Sequence, residues 1–300
     1  MERDAVRRAC NFISDHSGEK FFLWLHLFAP HSTWYPPREY RERAMEEFNV
    51  NIPRHVISQQ EHYRSGVQPI NPSDLRSLLA LYVGEVAFAD DNVGKIIDQL
   101  ESDGILDDSL VIISSDHGEE FYEHDRIEHG HSLYPELLHV PLIMRHPSSI
   151  QSGIRIPDRV SLNSLTPTII DLAGVPPELD GEPAAFFADG FSALLENDEI
   201  DLPPVFFEDP LYFDQSIIGV ISDDFLYIGG QNAVLHPRLY NLASDPDTWY
   251  DILRDYPETG DAMSGLLTDY LDRCEVIAER IGTGDSEGIR EQLRSLGYLN

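Results

Sequence analysis

The order of apolar segments constrains this chain most. "FFLWLHLF", Phe21 to Phe28, is a short aromatic-rich run that reads as a buried strand. Pro30, Pro36 and Pro37 end it and put His31 on a loop just past its C-terminal end. Residues 38–72 are polar and irregular, with Pro53, Pro69 and Pro72, and read as an insertion or lid. Ser73 and Asp74 then offer caps for a long helix. Leu75, Leu78, Leu79, Tyr82, Val83, Val86, Val93, Ile96, Ile97 and Leu100 keep helical spacing, and Gly104 marks the end. Leu110–Ile113 and Val140–Met144 are apolar bursts of strand length. A helix follows over 165–173, with Gly174 as a stop signal and Pro176-Pro177 beyond it. Strand, helix, strand, loop, strand, helix is an α/β pattern, with a mainly parallel sheet between helices.

The character changes after about residue 200. "VFFE", "IIGVIS", "FLYIGG" and "LYNL" are short strands, and Asp223-Asp224 between two of them predicts a hairpin turn. Helices are predicted over 258–281 and 285–296. The expected organisation is therefore an α/β core over 1–200 and a subdomain over 201–300 with a small antiparallel sheet and a C-terminal helix.

Charge narrows the function classes. The formal net charge is −32, which excludes nonspecific binding to nucleic acid or anionic membranes. An anionic substrate needs local compensation by metal, His or Arg. Cys10 and Cys274 are the only cysteines, too few for a disulfide framework or a four-cysteine zinc site. No apolar run approaches the length of a membrane span. The start, "MERDAVRRACNFISDH", reads as an amphipathic helix with Ala5, Val6, Ala9, Phe12 and Ile13 on one side. It lacks the apolar stretch of a signal peptide and so gives no location.

Between the bursts at 111–113 and 140–144 lie Asp116, His117, Glu119, Glu120, Glu123, His124, Asp125, Glu128, His129 and His131. In an open α/β sheet, ligands bind beyond the carboxyl ends of the strands. Asp116 and His117 sit there. They offer a hard oxygen and a nitrogen to one metal, and Gly118 allows a sharp turn. His129 and His131 flank Gly130 before the next strand. An imidazole there can bind an anionic oxygen or protonate a leaving group. A single histidine on a polar loop is usually only solvated. An Asp-His pair with further histidines at strand ends favours a site.

In one order along the chain run "FFLWLHLFAPHSTWYPP", "LYVGEVAFADDNVGKIIDQLESDGILDDSLVIISSDHGE", "EHGHSLYPELLHVPLI", "SLTPTIIDLAGV" and "LYNLASDP". Together they resemble the sulfatase family of the alkaline-phosphatase superfamily. The resemblance implies an alkaline-phosphatase-like fold, hydrolysis of sulfate esters on a small molecule or glycan, and a calcium-type or manganese-type ion. It also implies a formylglycine nucleophile made from Cys or Ser in a Cys/Ser-x-Pro-x-Arg motif. Carried over, Asp116 and His117 match metal ligands, His31 in "APH" matches the sulfate-contacting histidine, and His129 in "EHG" lies near the leaving group. Ala29 stands where relatives usually keep Asp before Pro-His.

The chain departs from the family by lacking the metal-binding aspartates of the first strand, the nucleophile motif and a Lys/His pair. Cys10 is followed by Asn11, Phe12, Ile13 and Ser14, and Asp90-Asp91 lies within the long helix as a solvated edge. The expectation is the C-terminal portion of a sulfatase with half a metal site, inactive alone. Two alternatives stand beside it. One is a non-catalytic remnant with a binding or structural role. The other is a phosphoester hydrolase or phosphoethanolamine transferase of the same superfamily.

Overall fold

The computed structural model describes residues 2–64, 69–175, 190–195, 202–209, 217–230 and 236–281. The predicted helix at 285–296 and Pro176-Pro177 lie outside them. The elements in order are α1 (Glu2–Asp15), α2 (Arg38–Phe48), α3 (Arg54–Ser58), α4 (Gln60–Arg64), α5 (Pro72–Ser102), β1 (Val111–Ser114), β2 (Glu120–Phe121), β3 (Ile127–Glu128), α6 (Pro135–Leu138), β4 (Leu142–Arg145), α7 (Leu165–Leu172), α8 (Ser192–Leu195), β5 (Val205–Asp209), β6 (Ile217–Ser222), β7 (Phe225–Gly230), β8 (Arg238–Asn241) and α9 (Pro257–Ile281). Two compact units share them: Met1–Ile113, Glu119–Glu128 and Ile143–Ser148 in the first, and Ser114–Gly118, His129–Leu142 and Ser149–Asn300 in the second.

In the first unit, α5 is the long helix that the periodicity predicts. Its cap differs from the expectation. Asn71 is the N-cap, its side chain accepting the Asp74 N–H at 2.9 Å, and Pro72 opens the helix. Proline suits that first position because its missing N–H would have no intrahelical partner there. Asp74 accepts from Asn71 Nδ2, from the Tyr63 hydroxyl and from His55 Nε2, at 2.8, 2.8 and 3.1 Å. Residues 38–72, expected to be irregular, hold α2, α3 and α4. Their Val56, Tyr63 and Ile70 share a core with Trp34, Leu78, Leu81, Phe121 and Ile127. Tyr40 and Ala44 of this segment are buried as well. Full burial of such side chains contributes about 1.5–3 kcal/mol each.

The "FFLWLHLF" run corrects the expectation of a buried strand. Its exposure alternates at the two-residue period of a strand. Phe22, Trp24 and Phe28 are 71%, 78% and 56% exposed. Among the described residues it makes no ladder, so the sheet holds only the pair β1 and β4. Apolar content predicted burial, but burial needs a layer on each face, and here one face has none among the described residues.

In the second unit, β5, β6, β7 and β8 form an antiparallel sheet in sequence order. Asp223-Asp224 makes the turn between β6 and β7, with Asp223 in the left-handed region at φ 49°. α9 covers one face through Met263 and Leu267, packed with Ile218, Val220, Tyr227 and Leu239. The stretch before β4 packs on this sheet as well. Tyr134 and Leu138 cluster with Leu226, Tyr240, Phe207 and Ile221.

Candidate active site

β1 ends at Ser114, and the chain turns at once. The Ser114 hydroxyl donates to the Pro141 carbonyl at 2.9 Å, and that of Ser115 to His117 O at 2.7 Å. The Gly118 N–H donates to Leu137 O at 2.8 Å. A Cβ on Gly118 would stand 2.0 Å from the Glu136 carbonyl oxygen. The glycine is therefore needed for close approach to α6, rather than for the sharp turn expected of it.

This turn presents Asp116 and His117 side by side. Asp116 Oδ1 accepts the His117 N–H at 3.1 Å and lies 3.8 Å from His117 Nε2. His117 Nδ1 is 2.8 Å from Gly118 O. A carbonyl only accepts, so Nδ1 carries the proton and Nε2 of the neutral ring keeps its lone pair. Fixing one ring nitrogen to a carbonyl in this way is how proteins orient a metal-binding imidazole. Ligand–ion distances of about 2.0–2.4 Å put two ligands of one ion about 3–4 Å apart. The pair fits a divalent ion by this measure, as two of the ligands it would need.

His129 joins them. Its ring centroid is 4.0 Å from that of His117, at 34° between planes. His131 Nδ1 donates to His129 O at 3.2 Å. What holds this stretch is distant in sequence. Arg238 Nη1, on β8, donates to the Tyr134 hydroxyl, and Tyr134 packs edge-on against Tyr240 with centroids 6.1 Å apart. Burial, followed by the bond with Tyr134, pushes the Tyr240 hydroxyl above its ordinary 10.0.

His31 belongs to the first unit. Its N–H donates to Phe28 O at 2.8 Å, its Nδ1 donates to Ser32 O, and its ring lies 4.5 Å from that of Phe28. The proton is again on Nδ1, which leaves Nε2 as the acceptor. The loop is braced by polar side chains of helices. Gln60 accepts the Trp34 N–H at 2.9 Å and donates to Trp34 O at 3.1 Å. Glu85 accepts the Tyr35 N–H at 3.0 Å, and Glu2 the Ala29 N–H at 2.9 Å. Trp34 is fully buried and stacks on Phe121 at 5.0 Å.

The acidic residues between His117 and His129 serve two ends. Glu120 and Glu128 face each other in the β2–β3 hairpin and are buried, and Glu120 accepts the His124 N–H at 3.2 Å. Glu120 and His124 also offer ligand atoms within 4.8 Å of one another. Glu123 accepts the Phe121 N–H and so closes the hairpin. Sequence reasoning missed Gln60, Tyr134 and Arg238. A glutamine in a polar segment carries no signal of burial. "SLYPE" and "HPRLY" gave no hint of meeting.

Comparison with known proteins gives these residues a context. The sulfatase family profile matches residues 2–175. Arylsulfatase K of Mus musculus is 27% identical over 284 residues, spanning 86% of this chain and 51% of its own. The chain thus spans about half the length of the curated relatives it matches. A solved structure in complex with its substrate, D-glucosamine-2-N,6-O-disulfate, superposes with a TM-score of 0.72 at 17% identity, over 95% of this chain and 71% of that one. The phosphonate monoester hydrolase of Agrobacterium radiobacter superposes at 0.65 and 22% identity, over 89% and 60%. These likenesses show the α/β sulfatase fold with its small C-terminal antiparallel sheet and helix. With more than half of its length matched by that one profile, the chain belongs to the sulfatase family.

Proposed function

We propose that this chain carries the part of a sulfate-ester hydrolase that binds one side of the metal and receives the leaving group. Asp116 and His117 Nε2 hold a divalent ion, calcium or manganese. The ion would polarise a sulfate oxygen. His31 contacts the sulfate through Nε2, and His129 donates a proton or hydrogen bond to the departing oxygen. The observation that carries this reading is the contact of the His117 and His129 rings beside the Asp116 carboxylate.

Family membership supports sulfate esters as the substrate class, and a solved structure of the same fold holds a sulfated sugar. Likeness to a phosphonate hydrolase keeps phosphorus esters as the competing substrate. The 300 residues contain no Cys/Ser-x-Pro-x-Arg. The chain alone is therefore expected to bind ion and ester without steady turnover.

The test follows the imidazole resonances of His31, His117 and His129 by NMR while Mn²⁺, then an aryl sulfate or aryl phosphate, is titrated. Relaxation enhancement at His117, lost in Asp116→Ala, supports the metal assignment. Stronger perturbation of His129 by the phosphate than by the sulfate overturns the sulfatase reading. Turnover of the aryl sulfate by residues 1–300 overturns the inactivity.

A further inference from the structure

We propose that the cleft between α1 and α5 binds a small organic anion carrying two or more negative groups. The cleft lies within the first unit and is an open groove of about 530 Å³. Arg3, Arg7 and Lys95 line it, against one acid, Asp98. The chain has 53 acidic residues and 21 lysines and arginines, so a lining of three cations and one acid is unusual for it, although Glu39 and Asp4 pair with two of the cations.

Arg3 and Arg7 are one helical turn apart and share a face of α1. Each already touches a carboxylate, Arg3 that of Glu39 at 2.7 Å and Arg7 that of Asp4. All four side chains are more than half exposed. Exposed pairs of that kind contribute little to stability, so an incoming anion can displace the carboxylates. Lys95 differs. Its Nζ donates to Asn92 Oδ1 at 2.9 Å, and Asn92 is fully buried. A neutral amide holds the ammonium in place without cancelling its charge.

The remaining lining sets the ligand class. Val6 is buried and Cys10 half-buried, which makes a partly apolar floor. Asn11 and Gln99 add amides that can donate to hydroxyls or carboxylates. Three cations, an apolar part of the lining and two amides suit a sugar acid, a disulfated monosaccharide or a tricarboxylate. A bare inorganic ion would leave the floor uncovered. This site shares no residue with His31, Asp116, His117 or His129.

Citrate is the probe, titrated calorimetrically into residues 1–300 and followed by NMR at the Lys95 ammonium. One citrate should bind per chain, with affinity that falls as NaCl rises. Lys95→Glu and Arg7→Glu should each weaken binding by about tenfold or more, Lys95→Gln by less, and His129→Ala should leave it unchanged. Thermal unfolding of each variant checks that these surface changes leave the fold intact. No binding to the wild type, unchanged binding in a folded Lys95→Glu, or loss of binding in His129→Ala overturns the proposal.

Discussion

Gln60 binds the Trp34 backbone with both ends of its amide, accepting from N–H at 2.9 Å and donating to C=O at 3.1 Å. Gln60 is 1% exposed and Trp34 is wholly buried. The side chain thus does for one residue what a neighbouring strand would do, and it fixes the loop that follows His31. Gln60→Leu leaves both backbone groups unsatisfied inside the core. Each should cost roughly 1–3 kcal/mol, so urea unfolding should show a loss of about 2–6 kcal/mol. The His31 imidazole resonance should also broaden. A loss below ~0.5 kcal/mol would show that water reaches the Trp34 backbone after all.

Gly118→Ala tests the packing of the Asp116-His117 turn on α6. The added methyl meets the Glu136 carbonyl oxygen at 2.0 Å, a contact with backbone that no rotamer relieves. Overpacking of this kind costs typically 1–3 kcal/mol. The turn should shift, and Mn²⁺ relaxation at His117 should fall together with the melting temperature. Unaltered relaxation would separate the glycine from the site.

Asp74 sets an acid limit on the first unit. Burial alone would raise its pKa, but hydrogen bonds from Tyr63, His55 and Asn71 outweigh it and hold the carboxyl below its ordinary 3.8. The Tyr63 hydroxyl is pushed up to about 12 by burial and by that carboxylate. A depressed folded pKa gives stability that is fully present above the unfolded value and lost as pH falls through the folded one. Asp74→Asn should therefore be less stable than wild type at pH 7, with the gap closing below about pH 3.9. A gap that is constant with pH would mean that packing rather than charge holds the cluster.

Glu85 has the opposite sign. Burial raises its carboxyl above the ordinary 4.5, although the Tyr35 N–H bond pulls the other way. A raised folded pKa means the charged form is the strained one, so stability falls as pH rises through it. Glu85→Gln keeps an oxygen for the Tyr35 N–H and removes the charge. It should be more stable than wild type at pH 7 and equal to it at acid pH. Lower stability at pH 7 would show that the carboxylate is needed as an ion.

Local pattern was enough for the sequence to determine α1, α5, α7, the four strands β5–β8, the start of α9 and the Asp223-Asp224 turn. Helical spacing and strand-length apolar runs between turn residues are written within a dozen neighbours, and burial of one face follows from them. The placing of Asp116 and His117 at a strand end was legible for the same reason. Three other matters were not local. The polar stretch 38–72 became three helices because Val56, Tyr63 and Ile70 found Trp34 and Phe121. "FFLWLHLF" kept an open face because burial depends on a covering layer that a run of apolar residues cannot supply to itself. The contact of His117 with His129 depends on a tail of interactions, from Gly118 on Leu137 to Arg238 on Tyr134, whose partners lie up to 104 residues apart. Such contacts form only when the C-terminal sheet is assembled. The chain sequence named the chemical groups, and tertiary packing decided which of them meet.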